Sequence, residues 1–240
     1  MKVLLIIPAF NEEKSIEKTV LKIAEFKKNY KLSYALDYIV INDGSTDNTG
    51  KVLNECKINH IDLINNLGIG GAVQTGYIYA KEKAYDIAVQ FDGDGQHDIN
   101  SLNNIVKPIL KDEYDFVIGS RFVENAKDNF QSTPMRRFGI MIISLIIRLV
   151  CHKKVYDTTS GFRAANQKAT AFLAKRYPVS YPEPESIVHL LKKHFRIGEK
   201  YVQMYDREVG LSSIRALTSL TYMIEVVVAI LISGFMKEED

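Results

Sequence analysis

Ile87-Ala-Val-Gln-Phe-Asp92-Gly-Asp94-Gly-Gln96-His97-Asp98 is the stretch on which the fold turns. Its apolar run over 87–91 is short and closed by turn residues, and it reads as a buried strand. That strand leads straight into two carboxylates two residues apart. The segments around it keep one rhythm. Val-Leu-Leu-Ile-Ile over 3–7, stopped by Pro8, predicts a strand. Ile16, Val20, Ile23 and Phe26 then recur at helical spacing and predict a helix over 12–30. Tyr-Ile-Val-Ile over 38–41 predicts a second strand, ending in the turn-rich segment 42–48, with a helix to about residue 56. A third strand is expected over 61–64, a loop over 65–71 and a helix over 72–83. Past the opening stretch, a helix over 99–110 and a strand over 116–119 complete the series. Alternating strands and helices predict an α/β fold, a Rossmann-like, mostly parallel sheet flanked by helices, with right-handed crossovers. Ligands of such sheets sit at the carboxyl ends of the strands. Those ends carry Pro8-Ala9-Phe-Asn11, Asp43-Gly-Ser45, Asp92-Gly93-Asp94 and Ser120-Arg121, and the functional site is expected there.

Composition narrows the class. The chain has 240 residues, 46% hydrophobic and 25% charged, an ordinary globular balance that excludes long disorder. It is one large domain or two tightly joined halves. Cys56 and Cys151 form no CxxC, so neither a disulfide framework nor a zinc site is indicated, and a reduced, cytosolic setting is the default. The N-terminal apolar run is closed by Pro8, Glu12 and Glu13 and reads as a strand rather than a signal peptide. Residues 1–120 hold 13 lysines, no arginine and 17 acids, a net of −4; residues 121–240 hold nine lysines, nine arginines and 12 acids, a net of +6. An acidic half able to hold a metal, followed by an arginine-bearing half, suggests an anionic ligand between them. Chance and a solvated surface are the competing explanation. No nucleic-acid partner is expected.

The second half changes character. Arg136 and Arg137 precede an apolar stretch over 138–150, followed by His152-Lys-Lys154. It is shorter than the roughly 20 residues of a membrane span. Basic flanks fit a helix over 136–151 lying in a membrane interface; a buried core helix is the other reading. The segment 222–236 is similar, interrupted by Glu225 and followed by Lys237-Glu-Glu-Asp240. It could lie on a membrane, pack on a small membrane protein or a second copy, or form a short re-entrant segment. The chain divides into a nucleotide- and metal-binding half (1–120), an acceptor-binding half (121–212) and an apolar C-terminal segment (213–240).

Asp92 and Asp94, with Gly93 allowing close backbone approach, suit Mg²⁺ or Mn²⁺ beside a diphosphate, because hard cations take carboxylate oxygens and leave positions for phosphate. Gln96 and His97 are near enough to ligate or to support the ligands. An EF-hand fails, since His97 stands where Gly is needed and Asn103 where Glu is needed. The Asp43 turn fails the same test at Asn48 and Asn54. Asp43 can accept hydrogen bonds from a base or ribose, cap the next helix, or both. The glycine-rich stretch 68–76 is no dinucleotide fingerprint, because Val73 occupies the third glycine position, and no Gly-Lys-Ser/Thr follows. It reads as a loop packed close to a nucleotide, or as a plain strand-to-helix connection. No G-x-S-x-G appears, so a serine hydrolase has no support.

Pro8-Ala-Phe-Asn-Glu-Glu13, Ile39-Val-Ile-Asn-Asp-Gly-Ser-Thr-Asp47, the glycine stretch 68–76, Asp92-Gly-Asp-Gly-Gln-His97, Gly119-Ser-Arg-Phe122 and Ser160-Gly-Phe-Arg163 occur in this order. Together they resemble the inverting family 2 glycosyltransferases of GT-A fold, in the branch of dolichyl-phosphate mannosyltransferase and bacterial polyprenyl-phosphate glycosyltransferases. The resemblance covers about residues 1–215. It implies that Pro8, Ala9, Asn11 and Glu12 line the nucleotide pocket, with Asp43 at the base or ribose and Gly70 and Gly93 on the donor side. It places Asp92, Asp94 and Gln96 on Mg²⁺ or Mn²⁺, Asp94 and Arg121 at the chemistry, and Arg207 near the diphosphate. Arg136, Arg137, Arg163 and Ser212 fall on the acceptor side. The Gln-x-x-Arg-Trp motif of processive synthases is absent, as is tryptophan altogether, and only about thirty residues follow Gly210.

Sugar transfer from a nucleoside diphosphate leaves a diphosphate anion, which a divalent metal stabilises. A hydroxyl acceptor needs a general base, for which Glu183 and Glu185 are candidates; otherwise they belong to a proline-stiffened helix start. A lipid phosphate is already anionic near neutral pH, with a second pKa of about 6, and needs no strong base. The arginine-rich second half favours the phosphate. The expected function is inverting, metal-dependent transfer from a nucleotide-sugar, UDP before GDP, to a polyprenyl phosphate by a peripheral or monotopic protein at the cytosolic membrane face. The alternative is transfer to a glycan or glycolipid hydroxyl, and a non-catalytic nucleotide-sugar-binding scaffold is the less favoured third.

Overall fold

The computed structural model describes residues 1–123, 134–205 and 220–236. Arg207 and Ser212 lie outside the described residues, as does the side chain of Arg136. In chain order the elements are β1 (Lys2–Ala9), α1 (Ile16–Asn29), β2 (Ala35–Asn42), α2 (Thr49–Glu55), β3 (His60–Asp62), α3 (Gly68–Glu82) and β4 (Ile87–Gln90). A single 3₁₀ turn (Ile99–Ser101) leads into α4 (Leu102–Leu110) and β5 (Phe116–Ser120). Then come α5 (Pro134–Cys151), β6 (Arg163–Asn166), α6 (Gln167–Lys175), α7 (Pro182–Lys192), β7 (Ile197–Tyr201) and α8 (Leu220–Phe235).

The strands form one sheet in the order β3-β2-β1-β4-β6-β5-β7. All pairings are parallel except those of β6, which runs antiparallel between β4 and β5. Alternate residues of β1 feed two cores. Val3, Leu5 and Ile7 pack with α1 and α4, while Leu4 and Ile6 pack with α3, α6 and α7. Burial on both faces explains why the strands read as unbroken apolar runs. Pro8 does not end β1: it pairs with Ile41 of β2, on a stretch where the ladder to β4 has already stopped at Ile6. Its missing N–H therefore costs no bond on that side. The glycine stretch also departs from expectation, since α3 starts at Gly68 and takes it as its first turns.

Two arginines expected at phosphates are internal. Arg163 is fully buried, and its guanidinium donates to the carbonyls of Ser160, Thr158 and Glu183 and to Ser186 Oγ. A buried charge persists only when its donors are met, and here they are spent on the protein itself. Arg121, at the end of β5, is clamped by buried Asp157, with Nε–Oδ2 2.8 Å and Nη2–Oδ1 2.7 Å. Glu199 of β7 accepts the Asp157 backbone N–H at 2.8 Å. The pair thus ties three parts of the second half together.

The two apolar segments are the helices α5 and α8. Gly139 lies against Met223 and Gly234 against Val150, so the helices run parallel, side by side. α5 buries Ile140, Ile143 and Ile147 and exposes Phe138, Met141, Leu145 and Leu149. α8 buries Val226 and Ile230 and exposes Ile224, Val228, Ile232 and Phe235. Each helix therefore serves the core with one face and carries an apolar stripe on the other. Among the described residues no helix is long and apolar enough to cross a membrane.

Burial pushes the Asp157 carboxyl up, but the charge and hydrogen bonds of Arg121 outweigh it and hold the group below the usual carboxylate range. A depressed folded value stabilises fully above the unfolded pKa of about 3.9 and is lost as pH falls through the folded value. Asp157→Asn leaves the Arg121 charge buried without its counter-charge. Urea unfolding at pH 7 should show a loss of about 3–5 kcal/mol. The gap to wild type should narrow on acidification.

Candidate active site

The site is built where β1, β2 and β4 end. Asp92 follows β4 by two residues, and the loop after it is fastened at several points. Thr19 of α1 donates its hydroxyl to the Gly93 carbonyl at 3.0 Å. The Gln96 N–H donates to Asp94 Oδ1 at 3.0 Å, across a turn in which Gly95 takes φ +78°. His97 bridges to Met204, and the Tyr205 N–H donates to the Gln96 carbonyl at 2.8 Å, so the chain after β7 straps the loop down. His97 is buried; its Nδ1 accepts the Asp92 backbone N–H at 3.0 Å, and its Nε2 faces Asp92 Oδ2 at 3.4 Å. Burial lowers its pKa to about 4, so the ring is neutral at physiological pH.

Asp92, Asp94 and Gln96 are all partly open to solvent. Their donors are two carboxylates and one amide oxygen, the chemistry of a hard divalent cation. Among the described residues no three His, Cys, Asp or Glu side chains form a closed cage. Two carboxylates and one amide oxygen fit a divalent ion that takes its remaining positions from ligand oxygens. The backbone makes the room: a Cβ on Gly93 would lie 3.1 Å from the Pro8 carbonyl, and one on Gly161 would lie 2.7 Å from Asp92 Oδ2.

On the β1–β2 side the loops are laced together. Asn11 adopts φ +56° and accepts at Oδ1 from the N–H of Thr46 at 2.8 Å and of Asp47 at 3.3 Å, while its own N–H donates to Ser45 Oγ. The Glu12 N–H donates to Thr49 Oγ1, and the Glu12 carboxylate takes the Ser15 hydroxyl. Asp43 is buried, and Oδ1 accepts the Leu67 N–H at 2.7 Å. At the start of α2 it is Asp47 whose Oδ1 accepts the Thr49 N–H, at 2.8 Å. Pro8 and Ala9 are buried under this edge, where Phe10 is exposed. The side chains expected at the nucleotide thus also build the shelf. The place of a Cβ on Gly70 is taken by the Pro178 carbonyl at 2.4 Å, so that glycine seats the 176–181 loop on α3.

The two glutamates part company. Glu183, at the start of α7, lies by Gln90 and Arg163 and within reach of the Asp92 charge. Burial pushes its carboxyl above the usual range against the pull of Arg163. Glu185 accepts from Ser233 Oγ of α8 at 3.3 Å, away from the loop, and burial raises its carboxyl too. Arg137 is exposed near the start of α5. Sequence reasoning missed Gln90, which is fully buried and accepts the Tyr177 hydroxyl at 3.1 Å. Its signal was a lone amide in an apolar strand.

Residues 4–172 match the family described as Glycosyl transferase family 2. Over 231 residues the chain is 34% identical to a UDP-N-acetylglucosamine–dolichyl-phosphate N-acetylglucosaminyltransferase of Methanococcus voltae, covering 87% of each. It is 29% identical over 170 residues to an undecaprenyl-phosphate mannosyltransferase of Micrococcus luteus, covering 68% of this chain and 66% of that one. A glucosyl-3-phosphoglycerate synthase from Mycobacterium tuberculosis, solved with Mn²⁺, UDP and phosphoglyceric acid, superposes with a TM-score of 0.71 at 17% identity. That superposition covers 99% of this chain and 80% of the other, and establishes the shared GT-A fold. With the family spanning most of the chain and a relative above 30% identity over 87% of both chains, this protein belongs to glycosyl transferase family 2 and is a glycosyltransferase.

Proposed function

We propose that the protein transfers a sugar, with inversion, from a UDP-sugar to a polyprenyl phosphate at the cytosolic face of a membrane. The observation that carries this reading is the fastened loop of Asp92, Asp94 and Gln96, three partly exposed residues beside the β1–β2 shelf. The family relatives named for dolichyl and undecaprenyl phosphates support the acceptor.

In this reading Asp92, Asp94 and Gln96 hold Mg²⁺ or Mn²⁺, which when bound neutralises the diphosphate leaving group. The shelf of Pro8, Ala9, Asn11, Glu12 and Asp43 orients the nucleotide, with Gly93 permitting its close approach and Arg207 completing the diphosphate contacts. An acceptor phosphate oxygen attacks the anomeric carbon from the face opposite the diphosphate. The new C–O bond forms as the bond to the diphosphate breaks, and the electron pair leaves with the diphosphate. No proton has to be removed, because the acceptor is already ionised. Arg136, Arg137 and Ser212 are assigned to hold that phosphate. The paired stripes of α5 and α8, flanked by exposed Arg137, Arg148, Lys153 and Lys154, suit an anionic lipid surface. A second reading, a hydroxyl acceptor with Glu183 as base, is favoured by one observation, the nearness of that raised carboxyl to Asp92.

Incubation with Mn²⁺, undecaprenyl phosphate and each of several labelled UDP-sugars, with GDP-mannose alongside, should move label into the organic phase with one UDP-sugar. Asp94→Ala should lower that transfer by about 10²–10³, as loss of one stabiliser of the departing charge does. Unchanged transfer would remove the metal assignment. In the same assay Glu183→Gln should keep most of the activity; abolished turnover would point to a hydroxyl acceptor. Replacing Leu145 and Leu149 together by Glu should abolish co-flotation with vesicles of anionic phospholipid, and retained flotation would count against the docking face.

A further inference from the structure

Asp92 is held from two sides by groups that the transfer reaction does not consume. On one side stands the His97 ring, whose Nδ1 accepts the Asp92 N–H at 3.0 Å. A neutral imidazole that accepts at Nδ1 carries its proton on Nε2, and Nε2 faces Asp92 Oδ2 at 3.4 Å. The ring cannot turn away. It stacks on Phe162 with centroids 4.9 Å apart and planes 13° apart, and meets Phe91 edge-on at 5.5 Å. On the other side stands the Gly161 backbone, where a Cβ would lie 2.7 Å from Oδ2 and 3.0 Å from Oδ1 of Asp92. Gly161 and Phe162 are consecutive, so one short segment supplies both the wall and the clamp.

We infer that His97 is a positioning residue for the Asp92 carboxylate, locked by Phe162 and backed by the Gly161 main chain, and that this clip sets the affinity of the site for its divalent ion. The inference rests on the metal role proposed above for Asp92. The neutral ring takes the Asp92 N–H and sets Nε2 3.4 Å from its carboxylate, which favours that position without cancelling its charge, so the full anion stays available to the cation. The Ser160–Gly–Phe–Arg163 motif, of which Arg163 is expected on the acceptor side, thereby supports the donor side. Arg163 anchors it to α7 through the Glu183 carbonyl and Ser186 Oγ.

The test reads Mn²⁺ binding to the full chain with UDP present, by the paramagnetic resonance signal of free Mn²⁺, together with the thermal midpoint. H97N keeps an oxygen to accept the Asp92 N–H but offers no donor at the Nε2 position. H97Q offers a donor there. In G161A the added methyl meets the far end of a flexible side chain, so the carboxylate yields rather than the fold. H97N and G161A should weaken Mn²⁺ binding by about 10–100-fold, the usual cost of losing a group that orients a metal ligand, while H97Q stays within about threefold of wild type. G161A should melt within a few degrees of wild type. Wild-type affinity in H97N and G161A overturns the inference. So does equal loss in H97Q and H97N, which would make the ring a mere filler of space. A wild-type chain that takes up no Mn²⁺ with UDP present overturns both the metal reading and this one; wild-type uptake with unaltered variants overturns this one alone.

Discussion

Because β6 runs against its neighbours, the chain enters it at the edge of the sheet where β4 leaves. Gln90, the last residue of β4, pairs with Arg163, the first of β6. The residues just after one strand and just before the other are forced together. Asp92 and His97 therefore meet Gly161 and Phe162, and Arg121 at the end of β5 meets Asp157. A parallel β6 would deliver its approach to the opposite edge and leave the metal loop without a wall. The buried guanidinium of Arg163 stabilises this reversal, since its bonds to Ser160, Thr158, Glu183 and Ser186 join the strand entry to the start of α7.

The first half was legible because its strands are buried on both faces and its helices on one. Period and turn residues therefore marked every element there, and errors were confined to boundaries. Pro8 reads as a stop because a single chain does not reveal that β1 has lost its β4 neighbour by that point. The glycine stretch reads as loop because glycine is a weak helix former; in place, the first turn of α3 is held by contact with Pro178 and Val179. In the second half the strands were invisible. Arg163-Ala-Ala-Asn166 has none of the branched or aromatic residues that favour strands, and pairing on both sides makes it one.

At the site, the place of the carboxylate loop at a strand end was legible, and the internal partners of Arg121 and Arg163 were not. A guanidinium fork suits phosphate and carboxylate equally, so a sequence does not distinguish an arginine that meets a ligand from one that meets Asp157. The charge split between the halves is in part internal for the same reason. Glu183 and Glu185 look equivalent because a single residue separates them; on a helix that i, i+2 spacing turns them to different faces, one to Gln90 and one to Ser233.

The two outer strands have a consequence for handling. Among the described residues β3 and β7 end the sheet, β3 with three residues and β7 with Glu199 and Lys200 in its five. Short or charged borders give a foreign strand little ladder to extend, so fibrous aggregation through the sheet is disfavoured. The sticky surface is the helical one, α5 beside α8. Self-association in dilute buffer should then be amorphous and reversible, cleared by mild detergent or lipid nanodiscs rather than by chaotropes.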